Sequence, residues 1–359
     1  MAEVTAAEYN AIYNTARAVL GIGSGSQGYG QPMVSSSVQS GASITSTQWD
    51  NLRADMTKAR QHQTNITVQT NTTAATSGVT GVSYDSLFDV TPTTVVSTAI
   101  LTQYQNFANL GINNNRLLCD PAQRTAPSGW PSTSGALTSQ TRAGAWGQTS
   151  GSTPATLSHT ITVTFNTYTK SSATETVVAS AADAMRCFFN AGGRVHIRTS
   201  RSGAAATSKD TEWTAMLGDA ATANSGVGDL IIDHSSCSIT GILRGTGSTG
   251  FSIPSSTGWN TMSSNSGSPT TFLIQGGTSQ YAENRYIVTG YKTSNQIIFN
   301  ISWQDNDTGD QQNPVPPGGP AVDEAVTGTL HSYCYITYPS GVNVDFSGQL
   351  PTASSTAIA

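Results

Sequence analysis

LSHTITVTFNTYT, residues 157–169, is the stretch of the chain that decides the fold class. Apolar and small polar side chains alternate along it, and such alternation is typical of a β-strand that buries one face. The buried face is predicted to carry Leu157, His159, Ile161, Val163 and Phe165. The opposite face carries Ser158, Thr160, Thr162 and Thr164. The pattern therefore predicts a half-buried strand with His159 in the core.

Further strands are predicted toward the C-terminus. YIVTGY and IIFNISW flank the polar stretch KTSNQ, which predicts a hairpin over residues 286–303. RVHIRTSRSG (194–203) and DLIID (229–233) are also predicted strands, and LHSYCYITY (330–338) is predicted to pair with VNVDF (342–346). Helices are expected near residues 181–190 and 209–217. The simplest architecture is a sheet or two sheets with these helices as a cover.

The first 64 residues are predicted to form two helices around a glycine-rich loop. The first covers about Ala6 to Leu20 and the second about Thr47 to Gln63. Thr5 and Glu8 have the spacing of a capping box. A single apolar stripe on each of two short helices cannot form a core alone, so the helices must pack on each other, on the rest of the chain or on a partner. The predicted assembly interface consists of the stripe residues Tyr9, Tyr13, Leu20, Trp49, Leu52 and Met56.

The chain is predicted to fall into three consecutive segments. Residues 1–64 form the helical assembly and docking module, and residues 157–359 form the β-rich domain. Between them, residues 65–156 hold an extended part, a helix from about Ser97 to Leu110 that Gly111 ends, and a Pro/Gly/Ser-rich linker from residue 120. The predicted fold class is α+β, mainly β. It combines an N-terminal helical pair and glycine-rich loop with an antiparallel β-rich body, a sandwich or meander with one or two covering helices.

The composition is unusual in its lack of charge. Charged residues make up 10% of the 359 residues, against about 25% in an average soluble domain. A polar surface with little charge is typical of extracellular β-proteins, adhesins and virion parts. The net charge of -5 disfavours nucleic-acid binding through a basic surface. No stretch approaches the roughly 18 apolar residues of a transmembrane helix, so membrane insertion is not expected.

GSGSQG, residues 23–28, fits the dinucleotide-binding pattern G-x-G-x-x-G. That pattern needs a strand before the glycines and a helix after them. Here a helix is predicted before the glycines, and the acidic residue at the expected distance, Asp50, falls within the second helix. We therefore interpret the glycines as positions that let the main chain turn sharply, and no nucleotide or other cofactor is expected.

Two groups of residues are of types that bind metal ions, an aspartate-rich stretch and the cysteines. DNDTGD holds Asp305, Asp307 and Asp310, which are a weak candidate for a cation site. EF-hand spacing fails there, because Gly309 and Pro316 stand at two ligand positions, and a solvated hairpin-end loop is the better interpretation. The cysteines are far apart and are expected to be free thiols, at Cys119, Cys187, Cys237 and Cys334.

No catalytic residue is predicted. The histidines are scattered, and Asp233, His234 and Ser235 are neighbours in sequence, which excludes triad geometry. A small basic cluster is favoured as the solvated edge of a sheet, with contact to an acidic partner or a phosphate as the alternative. It consists of Arg194, His196, Arg198 and Arg201. Local spacing assigns no pair of carboxylates for glycoside cleavage.

The run from Glu8 to Gln63 resembles a module of virion structural proteins of tailed bacteriophages, especially those that infect marine cyanobacteria. Two patterns carry the resemblance. The first is LG-x-GSG-x-x-GYGQ, which starts at Leu20 and ends at Gln31. The second is I-T-x-x-QW-x-x-L-R-x-D, which runs from Ile44 to Asp55 and is followed by His62 and Gln63. FFNAGGRVHIRTSRSG, NRYIVTGY and VTGTLHSY match more loosely.

The resemblance implies a virion component of the neck, tail, baseplate or fibres, without enzymatic activity. Its expected partners are other copies of the chain and other virion proteins, and it would be assembled into the virion in the host cytoplasm. No functional residue can be carried over from the family. Two alternatives stay open: a capsid decoration protein, and an adhesin or tail-spike-like protein that binds host surface glycans. For the second, Tyr333, Tyr335, Tyr338 and Trp303 are the candidate sugar platform, and packing in the core or between subunits explains these residues equally well.

Overall fold

The computed structural model describes residues 4–71, 84–125, 136–147, 154–221, 225–244, 253, 256–307 and 325–359. The chain forms two compact units that each combine separate stretches of sequence. Unit 1 consists of Met1–Thr125, Phe165–Gly193 and Tyr338–Leu350. Unit 2 consists of Ala126–Thr164, Arg194–Thr337 and Pro351–Ala359. The predicted division into three consecutive segments therefore differs from the observed units, because each unit is completed by chain from beyond the predicted boundaries.

The described part of unit 1 contains four α-helices: α1 (Ala6–Leu20), α2 (Ser46–Thr64), α3 (Thr98–Asn106) and α4 (Ala181–Asn190). A capping side chain lies at the N-terminus of each of these four helices. Thr5 with Glu8 and Thr45 with Gln48 form capping boxes, whereas Ser97 and Ser180 each accept one main-chain N–H. The second helix starts within one residue of its predicted position because the cap, rather than the apolar stripe, determines where it begins.

The third helix differs from its prediction at the C-terminal end. It was expected to end at Gly111, but helical structure continues as a π-helical turn over Phe107–Asn113. Gly111 is buried, and a Cβ there would come within 3.1 Å of the Tyr84 ring. The glycine therefore makes room for a neighbouring ring and does not end the helix. Unit 1 also contains two short strand pairs, the parallel β1 (Gln69–Asn71) and β2 (Ser86–Phe88) and the hairpin of β5 (Tyr168–Ser171) and β6 (Thr176–Ala179).

Unit 2 is built on two five-stranded antiparallel sheets. The first has the order β10-β11-β12-β4-β14, with β10 (Thr270–Gly276), β11 (Arg285–Lys292), β12 (Gln296–Asp305), β4 (Ala155–Thr164) and β14 (Thr352–Ser355). β4 is the strand predicted from residues 157–169, and the predicted face with His159 is buried. The hairpin predicted over residues 286–303 is confirmed by the pairing of β11 with β12.

The second sheet has the order β3-β13-β7-β8-β9. Its strands are β3 (Thr138–Arg142), β13 (Thr329–Thr337), β7 (Arg194–Ser202), β8 (Asp229–Ile232) and β9 (Cys237–Ile239). Helix α5 (Ser208–Leu217) follows β7 and packs near it. The two sheets meet through side chains, since the Thr199 and Tyr286 hydroxyls lie 2.9 Å apart and those of Thr138 and Ser355 lie 2.8 Å apart. This arrangement is a sandwich of two sheets.

Two predictions about strands were wrong. Residues 120–156 were predicted as a linker, yet they contain β3, which pairs with β13. β3 reads TSQTR and lies at the sheet edge, so it has no apolar alternation that the sequence would reveal. LHSYCYITY was expected to pair with VNVDF, but β13 pairs with β3 and β7. The local bridge after β13 joins only Ser340 and Asp345.

The fold class predicted from sequence is confirmed at the level of an α+β chain with mostly antiparallel sheets. Among the described residues, none of the helices combines the length and the apolar character needed to cross a membrane.

Candidate functional site

The six side chains that were predicted to form an assembly interface lie in the core of unit 1. Tyr9, Leu20, Leu52 and Met56 are fully buried within the chain, and Tyr13 and Trp49 nearly so. The Trp49 ring packs edge-on against the rings of Tyr9 and Tyr104, at centroid distances of 5.2 and 4.7 Å. A side chain that its own chain covers has no surface to offer a partner. The two stripes face each other and α3, so these residues are reassigned from an interface to the core.

The glycine-rich loop folds back onto the C-terminal end of α1. The amides of Tyr29, Gly30 and Gln31 donate to the carbonyls of Val19, Gly21 and Leu20. Carbonyls at the end of a helix lack partners within the helix, and the returning chain supplies the missing donors. Gly28 is essential for this path, because its φ is +100° and a Cβ would lie 1.8 Å from the Ile22 carbonyl oxygen. Gly25 also has positive φ, but its side-chain position is open.

The outward carbonyls of the same loop are bound by α4. The Arg186 guanidinium donates to the carbonyls of Gln27 and Gly23. The Asn190 amide donates to those of Gly25 and Gln27. A phosphate cradle presents main-chain N–H groups at the start of a helix, whereas this loop presents carbonyls to a cationic side chain. The loop is also preceded by α1 and followed by extended chain, so it does not have the geometry of a dinucleotide site.

After the loop, residues 31–35 run as an extended segment whose main-chain groups are bound by side chains. Within the described residues this segment joins no sheet. Asp55 accepts the amides of Val34 and Ser35 and the Ser35 hydroxyl. Glu175 accepts the Met33 amide at 2.9 Å. Three more side chains donate to carbonyls of the segment, Lys58 to Pro32 and both Ser172 and Thr174 to Met33. We call Asp55, Lys58, Ser172, Thr174 and Glu175 the side-chain clamp.

Lys170 extends the clamp on the β5 side. Its ammonium donates to the Gln31 side chain at 3.0 Å and to the Asp345 carbonyl. Burial lowers the pKa of Lys170 to about 8. Burial likewise raises the pKa of Asp55 despite the hydrogen bonds that it accepts from Ser35 and Val34. The clamp therefore holds charges that are partly removed from water and satisfied mainly by main-chain dipoles.

The two residues that follow the second sequence pattern, His62 and Gln63, are also structural in this chain. The Gln63 amide donates to the Tyr29 hydroxyl and the Ile112 carbonyl. The His62 Nε2 lies 2.9 Å from the Ala191 carbonyl, and Nδ1 lies 4.0 Å from the Cys119 sulfur. Burial lowers the pKa of His62 to about 4. A neutral imidazole with so low a pKa is a poor base for a thiol, which makes the contact with Cys119 one of packing rather than of nucleophile activation.

In unit 2 the candidate cation site is already neutralised by a lysine. The buried Lys209 ammonium lies 3.0 Å from an Asp305 carboxylate oxygen and 3.5 Å from one of Asp307. Asp310, the third predicted ligand, lies outside the described residues. The described residues contain no group of acidic, histidine and cysteine side chains arranged for a metal. The weak cation prediction is therefore corrected: Lys209, which is remote in sequence, supplies the positive charge.

The predicted basic cluster does not form a solvated edge. β7 lies in the middle of its sheet, and His196, Arg198 and Arg201 are all buried. Arg198 pairs with Asp229 at 3.1 Å. Burial alone would raise the pKa of Asp229, but the His196 ring, whose Nδ1 lies 3.6 Å from the carboxylate, and the charge of Arg198 lower it overall. On the opposite face of β7, Arg201 pairs with Asp210 and also donates to the Thr327 carbonyl.

The predicted sugar platform is not exposed. Tyr333, Tyr335 and Trp303 are buried, and Tyr338 is half-buried. Trp303 lies on β12, in the other sheet from the tyrosines. Tyr333 and Tyr335 stack with each other at 5.9 Å along β13. The structure therefore uses these rings for packing within the chain.

One hydroxyl–imidazole contact was not anticipated. The Ser202 hydroxyl, at the end of β7, lies 2.7 Å from the His331 Nε2 on β13. The separation suits a nucleophile and its base. The other ring nitrogen, Nδ1, is buried and has no hydrogen-bond partner among the described residues, so nothing there orients the ring or stabilises an imidazolium. Among the described residues the pair therefore lacks the third group of a catalytic triad.

The residues that hold the extended segment were missed at the sequence level, because Ser172 and Glu175 lie about 140 residues from the main chain that they bind. No local pattern signals such a contact, although Asp55 stands within the second sequence pattern. Comparison of the chain with protein-family models, with curated proteins and with solved structures gives no match.

Proposed function

We propose that the chain is a non-enzymatic structural component of a tailed-phage virion, located in the neck, tail, baseplate or fibres. It oligomerises and docks with other virion proteins. The proposal starts from the resemblance of residues 8–63 to a virion module. It assigns the whole chain a structural role rather than a catalytic one.

The observation that carries the proposal is that the patterned residues contact one another. Tyr29 of the first pattern bonds Gln63 of the second, and Asp55 of the second bonds the segment that follows the first. Trp49 sits at the centre of the aromatic cluster between α1 and α3. Residues spaced along a sequence pattern that pack into one scaffold support a shared structural module. A ligand site would instead leave some of their polar groups facing a cavity.

Two further observations support the proposal. Only 10% of the residues are charged, and Ser, Thr, Gly, Asn and Gln are abundant in their place. The buried charges of unit 2 pair with one another, as Lys209 does with Asp305 and Arg201 with Asp210. Such pairs are well suited to fixing a rigid arrangement of strands.

The proposal is tested by quantitative mass spectrometry of tailed-phage particles purified by density gradient from cells that produce the chain. We expect the chain to sediment with the capsid and tail proteins at a fixed copy number, about three, six or twelve per particle for a trimer or a closed ring. A chain that stays with the soluble fraction, or that is monomeric at high concentration in light scattering and also missing from particles, would contradict the proposal.

Copy number in the same particles and binding to glycans distinguish the remaining alternatives. A capsid decoration protein would be present at a copy number that scales with the capsid lattice. An adhesin would bind host polysaccharide on a glycan array. For the hydroxyl–imidazole contact, labelling of Ser202 by a fluorophosphonate probe would contradict the non-enzymatic part of the proposal, and we expect no labelling above that of Ser202→Ala.

A further inference from the structure

An open strand edge lies on the surface of unit 1. β5 and β6 form a hairpin, and among the described residues β6 has no other strand neighbour. The Ser172 amide donates to the Glu175 carbonyl at 2.8 Å, which sets the alternation of the hairpin ladder. In an antiparallel pair, hydrogen-bonded and non-hydrogen-bonded positions alternate. The main-chain groups of Val177 therefore face β5, and those of Thr176 and Val178 point away from it.

A cleft runs along this open edge. Its volume is about 330 Å³, and Thr176, Val177 and Val178 line one side of it. Asn14, Arg17 and Ala18 of α1 line the other side. A strand residue fills roughly 160 Å³ at the rise and spacings of β-structure, so the cleft holds about two residues of extended chain. No main-chain hydrogen bond from Thr176 or Val178 to a described residue closes this side of β6.

The edge carries no charged side chain, proline or bulge along β6. Natural sheet edges are protected by charged side chains, proline or bulges. β6 reads TVVA and pairs in unbroken register with β5. Val178 is 67% exposed, which is unusual for a valine in a strand. An exposed, uncharged and regular edge beside a cleft is the geometry in which a peptide adds to a sheet.

The lining of the cleft determines the chemistry of the segment that fits. The Arg17 guanidinium and the Glu175 carboxylate pair with each other at 3.1 Å, so the charges at the rim cancel. The remaining lining residues are uncharged, and a volume of about 330 Å³ for two residues leaves room only for small side chains. A charged segment would lose hydration without gaining a counter-charge. The cleft therefore suits an extended segment with small, uncharged side chains.

The position of α1 also excludes one occupant. A strand that already belongs to a sheet has a neighbour about 4.8 Å away on its far side. A strand that adds to β6 in this cleft has Asn14, Arg17 and Ala18 of α1 beside it instead. A second folded copy cannot therefore bring its own β6, with β5 attached, into the cleft. A single strand without a sheet partner can.

We propose that the cleft binds one extended segment of a partner protein, with small uncharged side chains, which adds to β6 as a third strand. The main-chain N–H and C=O groups of Thr176 and Val178 would bind the main chain of the segment. The inference rests on the strand edge alone and goes beyond the proposed virion role. A protein outside any virion with this edge would bind in the same way.

The test uses the full chain and the acetylated, amidated pentapeptide SVTVS as a probe. Amide hydrogen exchange followed by NMR reports each position. Without peptide we expect fast exchange at Thr176 and Val178 and slow exchange at Val177. At a few millimolar peptide we expect exchange at Thr176 and Val178 to slow about threefold, as for a dissociation constant near 1 mM. Exchange at Val177 should not change.

Three controls make the result decisive. A peptide with N-methylated amides lacks the main-chain donors and should not slow exchange. Val178→Lys places a charge on the exposed edge and should weaken the effect, whereas Val178→Thr keeps the edge uncharged and should retain it. Absence of slowing in the wild-type chain, or equal slowing by the methylated peptide, would overturn the proposal. If exchange at Thr176 and Val178 slowed with rising protein concentration in the absence of peptide, the occupant would be a second copy, and the proposal would also be overturned.

Discussion

Unit 1 and unit 2 satisfy buried main-chain polar groups by different means. In unit 2 the ladders of two five-stranded sheets pair the strands. In unit 1 the extended segment 31–35 joins no described sheet, and the side-chain clamp binds its N–H and C=O groups. A strand ladder tolerates many side chains, because main-chain atoms make its bonds. A clamp depends on the identity of each clamping residue, so unit 1 should be much more sensitive to substitution along its loop.

Buried charges also have different partners in the two units. In unit 2, Lys209 faces Asp305 and Arg201 faces Asp210, charge against charge. In unit 1, Asp55 faces main-chain amides, and Lys58 faces a main-chain carbonyl. Removal of one partner leaves an unpaired buried charge in unit 2 and unpaired main-chain amides in unit 1. The unpaired charge should lower the free energy of unfolding more than the unpaired amides do.

The largest effect is expected at the glycine loop. Gly28→Ala would place a Cβ 1.8 Å from the Ile22 carbonyl oxygen at a φ of +100°, so the loop cannot return to α1. We expect a loss of about 5 kcal/mol or more, at the upper end for single substitutions. Gly25→Ala is the matched control, because its side-chain position is open; we expect about 1–2 kcal/mol from the positive φ alone. Urea unfolding followed by circular dichroism measures both. Equal losses at the two glycines would show that the clash at Gly28 is relieved.

The next largest effect tests the charge pairs of unit 2. Lys209→Met leaves the Asp305 carboxylate buried without its cation, and we expect a loss of about 3–5 kcal/mol in the free energy of unfolding. Lys292→Met is the control. Lys292 donates to the carbonyls of Trp259 and Asn260 and pairs with no carboxylate among the described residues, so its loss should cost about 1 kcal/mol. Adding Asp305→Asn to Lys209→Met should restore part of the stability. If the stability loss of the double variant equalled the sum of the losses of the two single variants, the two residues would not interact.

A smaller loss is expected when the clamp is opened. Asp55→Ala removes the acceptor for two amides and one hydroxyl, and hydrogen bonds to a charged group contribute about 1.5–3 kcal/mol. We expect a loss of about 2–3 kcal/mol. Asp50→Ala on the same helix removes an exposed carboxylate and should change stability by no more than about 0.5 kcal/mol. Similar effects at Asp50 and Asp55 would contradict a role for the clamp.

Local patterns in the sequence predict much of the local structure and little of its long-range pairing. Alternation in residues 157–169 predicts β4 and its buried face, and capping residues locate the starts of the helices. Those signals lie within one turn or one strand of the residues that they position. The edge strand β3 was missed, because its polar sequence has no alternation and a distant strand determines its pairing.

The site residues were harder to predict for the same reason. The six stripe residues were predicted to form an assembly interface, because the sequence does not show that α1, α2 and α3 cover them within the chain. Lys209 lies about 96 residues from Asp305, and Glu175 about 142 residues from Met33. Only the fold brings such pairs together. Asp55 is the one clamp residue that a sequence pattern includes.

The last effect expected is a dependence on pH. Burial lowers the pKa of Lys170 from 10.5 to about 8. Between these values the unfolded chain binds more protons at this position than the folded chain, so the contribution of Lys170 to stability rises as the pH rises from 8 to 10.5. The wild type should therefore gain stability relative to Lys170→Met between pH 7 and pH 10. Urea midpoints of both proteins at the two pH values measure this gain, and a constant difference would show that Lys170 keeps its ordinary pKa.

The central claim is that a side-chain clamp holds the loop segment of unit 1 while charge pairs and ladders hold unit 2. Hydrogen exchange of Asp55→Ala and Lys209→Met, read by mass spectrometry, tests it most directly. We predict that Asp55→Ala speeds exchange in residues 29–35 and leaves β7 and β12 unchanged. Lys209→Met should speed exchange in α5 and β12 and leave residues 29–35 unchanged. Equal acceleration of both regions by either variant would contradict the account.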